Sequence, residues 1–270
     1  MKVSLMKKAY VFWIFIIVFL VLNILTYYYN LGGESLFPFF SNLFPIISSF
    51  LAALSLFAAF NSFKSFDKAK LAWLLLYLGI LLFFVAESVF AIGEIVFNID
   101  MDKAFPTAAD YIWVLGYLPL IIGIALMIYW YNKSGFLIGG LKVYGFLSLP
   151  FLVLSAVLFF MVFMPIIKDT ETSMWAKFVY IFYPVADLAL IVEAGVLMYI
   201  TSLFSRGSVS RPWRYISGGF ILMTVADILY SYWNWSGAYA SGNFIDIGWN
   251  LSYLLLALGG IYQQELMESF

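Results

Sequence analysis

The sequence contains no histidine and no cysteine, and only 11% of its 270 residues are charged. Without histidine there is no imidazole base and no His-ligated zinc site. Without cysteine there is no disulfide, thiolate nucleophile or Cys-ligated iron–sulfur cluster. Average soluble domains carry roughly a quarter charged residues. At 64% apolar residues, this chain has too little charge for a soluble surface and is predicted to be an integral membrane protein.

Eight stretches of the chain are long and apolar enough to cross a bilayer, which takes about 20 residues of helix. The first stretch follows a basic start, but it is too long for a signal peptide and lacks a small-residue cleavage site. Short connections between the stretches predict one all-α membrane domain over residues 1–270. The predicted spans are approximately residues 9–29, 41–63, 70–97, 110–132, 143–167, 176–204, 213–235 and 244–263.

Positive charges are distributed unevenly between the two sides of the predicted membrane. With the N-terminus inside, only Lys103, Lys168 and Lys177 of the 14 Lys and Arg residues lie outside. Because cytoplasmic loops of membrane proteins are rich in Lys and Arg, we expect a cell-membrane protein with both termini in the cytoplasm. The acidic residues have the opposite bias and concentrate in the outer half.

One sequence pattern occurs twice. The pattern D-x-x-W-x-L-[GS]-Y-L covers residues 110–118 and 246–254, each time at the start of a span that runs inward. The span before each copy carries an acid at a matching position, Glu87 in the third span and Asp227 in the seventh. The match indicates an internal repeat; the alternative is chance similarity among apolar sequences.

The two repeats would cover about residues 1–135 and 136–270. Because each repeat contains four spans, both copies have the same orientation. They are therefore predicted to be parallel repeats about an axis along the membrane normal.

Several acidic residues fall within the predicted spans, where a charged group costs a few kcal/mol unless it faces protein or water. Each is a candidate for a functional site, although such side chains also join helices by hydrogen bonds. No Lys or Arg lies in the interior of a span, so these acids are either protonated or balanced by a bound cation. The acids are Glu87, Glu94, Asp110, Asp187, Glu193, Asp227 and Asp246.

Helical spacing places aromatic and polar residues on the same faces as most of these acids. The simplest assembly is one outward-facing cavity between the repeats, where a small ligand or cation binds. A bound divalent cation would have Glu87, Asp187 and Asp227 as ligands; no other cofactor and no nucleic acid is predicted. The predicted ligand-binding residues are Glu87, Glu94, Asp110, Trp113, Tyr117, Tyr183, Asp187, Asp227, Tyr230, Asn234, Asp246, Trp249, Asn250 and Tyr253.

Two short motifs, Tyr183-Pro184-Val-Ala-Asp187 and Ala226-Asp227-Ile-Leu-Tyr230, accompany the Asp-led helix starts. Together they resemble the eight-helix membrane sensor region found upstream of bacterial diguanylate cyclases, in a free-standing, archaeal-like version. The resemblance implies a sensor that binds a small ligand among membrane lipids. Since little sequence follows the eighth span, it also implies output through a signalling partner protein.

A weaker similarity is to the lysoplasmalogenase family of eight-helix intramembrane hydrolases. It implies that Glu87 and Asp227 divide the roles of acid and base in lipid hydrolysis. The chain departs from that family because alanine, not Gly or Ser, precedes each acid. A third hypothesis is a proton- or cation-coupled transporter, which parallel repeats with midplane carboxylates permit.

Overall fold

The computed structural model describes residues 2–134, 141–203 and 209–268, and the regular secondary structure in these ranges is helical throughout. Eight helices are long and apolar enough to cross a membrane. The prediction of an all-α, multi-pass membrane protein with eight spans is therefore confirmed. The predicted boundary between the repeats, at residues 135 and 136, lies outside the described residues.

The helices begin and end close to the predicted spans, with three differences. The first helix begins at Lys2 instead of residue 9. The second helix begins at Gly33 instead of residue 41, because Gly32, with a φ of 93°, makes the turn and the helix then extends beyond the apolar run. The fifth helix contains a π-helical turn. The helices are α1 (Lys2–Tyr29), α2 (Gly33–Asn61), α3 (Lys68–Ile95), α4 (Ala108–Lys133), α5 (Leu141–Leu158, the π-turn Phe159–Phe163 and Met164–Lys168), α6 (Met174–Ser202), α7 (Ser210–Trp235) and α8 (Phe244–Met267).

Six of these helices pack side by side into a closed ring, in the order α2, α3, α4, α6, α7, α8 and back to α2. The contact between α2 and α8 is more extensive than the contact between α4 and α6. Helix α1 packs outside the ring, mainly on α8, and α5 packs lightly on α6. The ring therefore has a central space that belongs to both halves of the chain.

The α2–α8 contact is a close approach of two backbones. A Cβ atom placed on Gly260 of α8 would lie 2.8 Å from the carbonyl oxygen of Ser55 in α2. The Ser55 hydroxyl also donates a hydrogen bond to the carbonyl oxygen of Ala257 at 2.7 Å. Glycine is therefore required for the two helices to meet at this distance.

One end of the ring is filled by an apolar core. Trp73 at the start of α3 and Trp213 at the start of α7 pack with their ring centroids 5.2 Å apart, and they are 1% and 2% exposed. Burying large aromatic side chains contributes strongly to stability. The open space of the ring lies toward its other end, where α4 and α8 begin.

Candidate functional site

The ring encloses a cavity of about 90 Å³, and all six ring helices contribute to its wall. In the same measure, about 10–15 Å³ is enough to hold one water molecule. The cavity therefore has room for several waters or one small molecule. Its wall is formed by Ser41, Asn42, Pro45, Phe83, Glu87, Phe90, Asp102, Asp110, Trp113, Tyr117, Tyr183, Met223, Asp227, Tyr230, Tyr239, Ser241, Asp246, Trp249 and Tyr253.

Most of the predicted binding residues lie in this wall. The repeated pattern contributes its Asp, Trp and Tyr from both α4 and α8, and the matching acids of α3 and α7 face them. The predicted residues that line the cavity are Glu87, Asp110, Trp113, Tyr117, Tyr183, Asp227, Tyr230, Asp246, Trp249 and Tyr253. Those that lie elsewhere are Glu94, Asp187, Asn234 and Asn250.

Two tyrosine–carboxyl contacts cross between the halves of the chain in the deeper part of the cavity. The Tyr117 hydroxyl of α4 donates to Asp227 Oδ2 of α7 at 2.8 Å. The Tyr253 hydroxyl of α8 donates to Glu87 Oε1 of α3, also at 2.8 Å. Asp227 Oδ1 accepts a second bond, at 2.7 Å, from Trp249 Nε1. These donors stabilise a carboxylate without cancelling its charge.

Asp187 lies directly behind this wall. It is fully buried, and its Oδ1 atom is 3.0 Å from the Tyr117 hydroxyl. Its Oδ2 atom is buried with no hydrogen-bond partner in the described residues. A phenol has one proton, so Tyr117 cannot fully satisfy both Asp187 and Asp227. Either the two carboxyl groups share its single proton or one of them carries a proton of its own.

Asp110 stabilises the start of α4 as well as lining the cavity. Its Oδ2 atom accepts hydrogen bonds from the backbone N–H of Thr107 at 2.6 Å and from the Thr107 hydroxyl at 2.9 Å. Such a contact back to the N-cap residue satisfies a backbone donor that the helix cannot. Its Oδ1 atom accepts from the Tyr183 hydroxyl of α6 at 2.9 Å, which joins the two halves.

Asp246 has the corresponding position at the start of α8. Its Oδ2 atom accepts from the backbone N–H of Gly242 at 2.7 Å, and its Oδ1 atom accepts from the Tyr239 hydroxyl at 2.8 Å. Burial and the nearby Asp246 raise the pKa of Tyr239 well above its usual value, so this hydroxyl keeps its proton and remains a donor. The repeated Asp thus has a structural role in addition to its place in the wall.

The loops before α4 and α8 meet at the mouth of the cavity. Asp102 Oδ2 accepts from the backbone N–H of Ser241 at 3.0 Å and from its hydroxyl at 3.1 Å. Burial raises the pKa of the Asp102 carboxyl. The sequence patterns did not predict Asp102 or Ser241, nor the α2 residues Ser41 and Asn42. Two features of the sequence could have indicated them. Asp102 is an acid shortly before the start of α4, and Phe44-Pro45 in α2 partly matches Tyr183-Pro184 in α6.

Asn250 lies outside the cavity wall, in a polar contact among three helices. Its Oδ1 atom accepts from the Ser48 hydroxyl of α2 at 2.9 Å, and its Nδ2 donates to Asn23 Oδ1 of α1 at 3.0 Å. Asn250 follows Trp249 directly, and successive helical residues point in different directions. Its role in this arrangement is to hold α1 and α2 against α8.

Glu94 and Asn234 lie nearer the ends of their helices than the wall residues do. Glu94 Oε2 accepts from Asn42 Nδ2 at 2.6 Å, beside a shallow depression next to the mouth. Asn234 Nδ2 donates to the Tyr230 hydroxyl at 2.9 Å. Both side chains therefore contact wall residues without lining the cavity themselves.

The residues predicted to hold a divalent cation are not brought together. Within the described ranges, no three or more acidic side chains are close enough to one another to hold a metal ion. Glu87 is bound to Tyr253 of α8, whereas Asp187 and Asp227 both face Tyr117 of α4. The three acids are thus divided between two contacts.

The fold and the cavity define a class of protein: a multi-pass helical membrane protein with an acidic and aromatic cavity in its span region. Comparisons of the chain with protein-family models, curated proteins and solved structures give no match. A function must therefore be inferred from the chemistry of the cavity.

Proposed function

We propose that the chain is a membrane sensor module that binds a small ligand in the cavity and acts through a signalling partner. The observation that supports this most directly is that side chains from both halves of the chain line one enclosed space. A ligand there contacts both halves at once, so its binding free energy depends on how they pack. A ligand shifts a conformational equilibrium only if it binds one conformation more tightly than the other.

The proposal includes two parallel four-helix repeats, for which the helix contacts provide support. A Cβ on Gly79 of α3 would lie 2.5 Å from Leu120 of α4, and a Cβ on Gly219 of α7 would lie 2.9 Å from Leu256 of α8. These four residues are matching positions of the two halves. The α2–α8 and α4–α6 contacts are also equivalent under the repeat, as are the two tyrosine–carboxyl contacts that cross the cavity.

The proposed orientation has both termini in the cytoplasm and the cavity open to the outside. Because the chain has no cysteine, single-cysteine variants report the side of each loop directly. A membrane-impermeant maleimide should label Ala238→Cys, between α7 and α8, in intact cells. It should label Lys64→Cys, between α2 and α3, only after permeabilisation. The reverse pattern would show that the orientation is inverted.

Ligand binding can be tested without knowing the ligand. Purified protein in nanodiscs would be screened by thermal unfolding against a diverse set of cationic, anionic and neutral small molecules. A true ligand at about 100 times its Kd should stabilise the wild type by about 2.7 kcal/mol. Ser41→Trp, at a buried wall position, should abolish the shift because the indole fills the cavity.

The matched control is Ser35→Trp, at an exposed position near the start of the same helix. This variant should respond to ligands as the wild type does. Equal shifts in wild type and Ser41→Trp, or no shift with any compound, would contradict the proposed function. Turnover of an ether- or ester-linked lipid that is lost in Asp227→Asn would favour the hydrolase hypothesis instead.

A further inference from the structure

Among the described residues, the cavity wall contains carboxyl groups but no Lys or Arg. Its acids are Glu87, Asp102, Asp110, Asp227 and Asp246. The side chains and backbone groups that donate to them are neutral: tyrosine, threonine and serine hydroxyls, an indole and backbone N–H groups. Within the described residues, the wall therefore stabilises negative charge without balancing it. Buried charge is costly unless it is paired, so a positively charged guest stabilises the ionised form of these acids and an anion beside them is disfavoured.

Aromatic rings make up much of the rest of the wall. The Tyr230 ring lies 5.4 Å from Trp249 and 4.9 Å from Tyr239, in edge-to-face arrangements. Trp113 and Phe90 lie in the wall 6.0 Å apart. Aromatic faces attract organic cations through their electron-rich rings and also accept hydrocarbon groups. Such a wall suits a guest that has a positive head and an apolar body.

A bare metal ion fits this wall less well than an organic cation. Divalent ions such as Ca²⁺ take six to eight oxygen ligands, about 2.3–2.6 Å away. No group of three or more acids among the described residues is close enough to provide several of them. An ammonium group needs fewer ligands, because one carboxylate and a few aromatic ring faces are enough to bind it.

Glu87 is the acid best placed to receive an ammonium group. Asp110, Asp227 and Asp246 each have both oxygens engaged by donors. Asp102 Oδ1 has no hydrogen-bond partner among the described residues, but Asp102 is tied to Ser241 in the loops at the mouth, whereas Glu87 lies deeper, within α3. Glu87 has one oxygen engaged, by Tyr253, and within the described part of the chain its Oε2 atom has no other hydrogen-bond donor. That oxygen belongs to a residue of the cavity wall.

We propose that the ligand of this cavity is a small organic cation, an amine or quaternary ammonium compound. Its charged group lies against Glu87 and its apolar part against the aromatic wall. The inference rests on the proposed function and specifies the chemical class of its ligand.

The experiment compares cations with neutral molecules of the same shape. Wild-type protein in nanodiscs would be titrated with choline and with 3,3-dimethylbutan-1-ol, and with n-butylammonium and butan-1-ol, while tryptophan fluorescence is recorded. Trp113 and Trp249 lie in the wall, so a bound guest changes their emission. At least one cation should bind about tenfold more tightly than its neutral counterpart, which corresponds to about 1.4 kcal/mol.

Glu87→Gln should reduce the affinity for that cation by about tenfold. Glu171→Gln, at an exposed position in the loop between α5 and α6, removes the same charge outside the cavity and should leave the affinity unchanged. The comparison of each cation with its neutral counterpart uses the wild type alone, so it remains decisive even if a variant folds poorly.

Neutral counterparts that bind as tightly as the cations would overturn the cation assignment and leave ligand binding intact. A Glu87→Gln variant that binds the cation as tightly as the wild type would also overturn the cation assignment. Failure of all four probes, with anionic or neutral compounds as hits in the diverse screen, would also overturn it. The proposed function itself fails only if no compound in the diverse screen stabilises the wild type, or if every compound that does so stabilises Ser41→Trp equally.

Discussion

Gly260→Ala is expected to lower the free energy of unfolding by about 3 kcal/mol, at the upper end of the usual cost of overpacking. The added Cβ would lie 2.5 Å from the Ser55 hydroxyl and 2.8 Å from the Ser55 carbonyl carbon and oxygen. A side chain could rotate away, but the backbone of α2 cannot move without separating the whole helix from α8. Unfolding in mixed micelles with increasing sodium dodecyl sulfate measures the change.

Gly218→Ala provides the matched control on a neighbouring helix of the ring. Its Cβ would lie 3.6 Å from the nearest atom, in the Leu255 side chain, which is ordinary van der Waals contact. Because alanine favours helix more than glycine does, this variant should be neutral or slightly stabilised. Equal unfolding free energies for the two variants would show that α2 and α8 do not meet at this distance.

Tyr117→Phe is expected to cost about 2–4 kcal/mol of stability. The substitution removes one hydroxyl that lies within 3.0 Å of both Asp187 and Asp227. A hydrogen bond to a charged group contributes about 1.5–3 kcal/mol, and leaving a buried acceptor unsatisfied adds to the loss. Asp187, whose second oxygen has no hydrogen-bond partner among the described residues, would then also lose the Tyr117 hydroxyl at its first oxygen.

The control for this substitution is Tyr111→Phe. Tyr111 lies on the same helix and is 45% exposed, so its hydroxyl does not depend on a buried partner. Its removal should change stability by less than about 0.5 kcal/mol, the usual range for surface positions. If Tyr117→Phe were as mild, the hydroxyl would not hold the two carboxyl groups together.

The eight spans could be predicted because a bilayer requires each helix to be apolar over about 20 residues. Some of the helix ends could not, because they depend on local backbone geometry. At Gly32, a left-handed conformation makes the turn and α2 begins earlier than its apolar run. The π-helical turn at Phe159–Phe163 likewise interrupts a stretch whose hydropathy shows no change.

The spacing of the repeated pattern explains why its Asp, Trp and Tyr all line one cavity. Residues three or four apart share a helix face, so the pattern predicts a common face without knowledge of the neighbouring helices. Asn250 lies outside the wall because it follows Trp249 directly and points instead toward α1 and α2, where it contacts Asn23 and Ser48. The repeated pattern does not show where those two helices pack. Asp102 and Ser241 meet only because two loops far apart in sequence come together.

The aspartates at the helix starts show that an acid within a predicted span is not by itself evidence for a binding site. Asp110 and Asp246 both line the cavity, yet both also accept backbone N–H groups at the beginning of a helix. An Asp at the start of a helix is expected for capping alone. Glu87 and Asp227, deep within their helices, have no backbone donor to satisfy, and their positions therefore point more directly to the cavity.

The ring closes through two contacts of unequal stiffness. Backbone lies against backbone where Gly260 meets Ser55, whereas Tyr117–Asp187 and Asp110–Tyr183 join α4 to α6 through side chains that have several rotamers. The first contact is therefore expected to be the stiffer of the two, and the second is the one at which a change in packing costs less. A guest that expands the cavity would separate α4 from α6 while α2 and α8 stay in contact. Under the proposed function, this displacement would be carried along both helices to their other ends, where the proposed signalling partner would detect it.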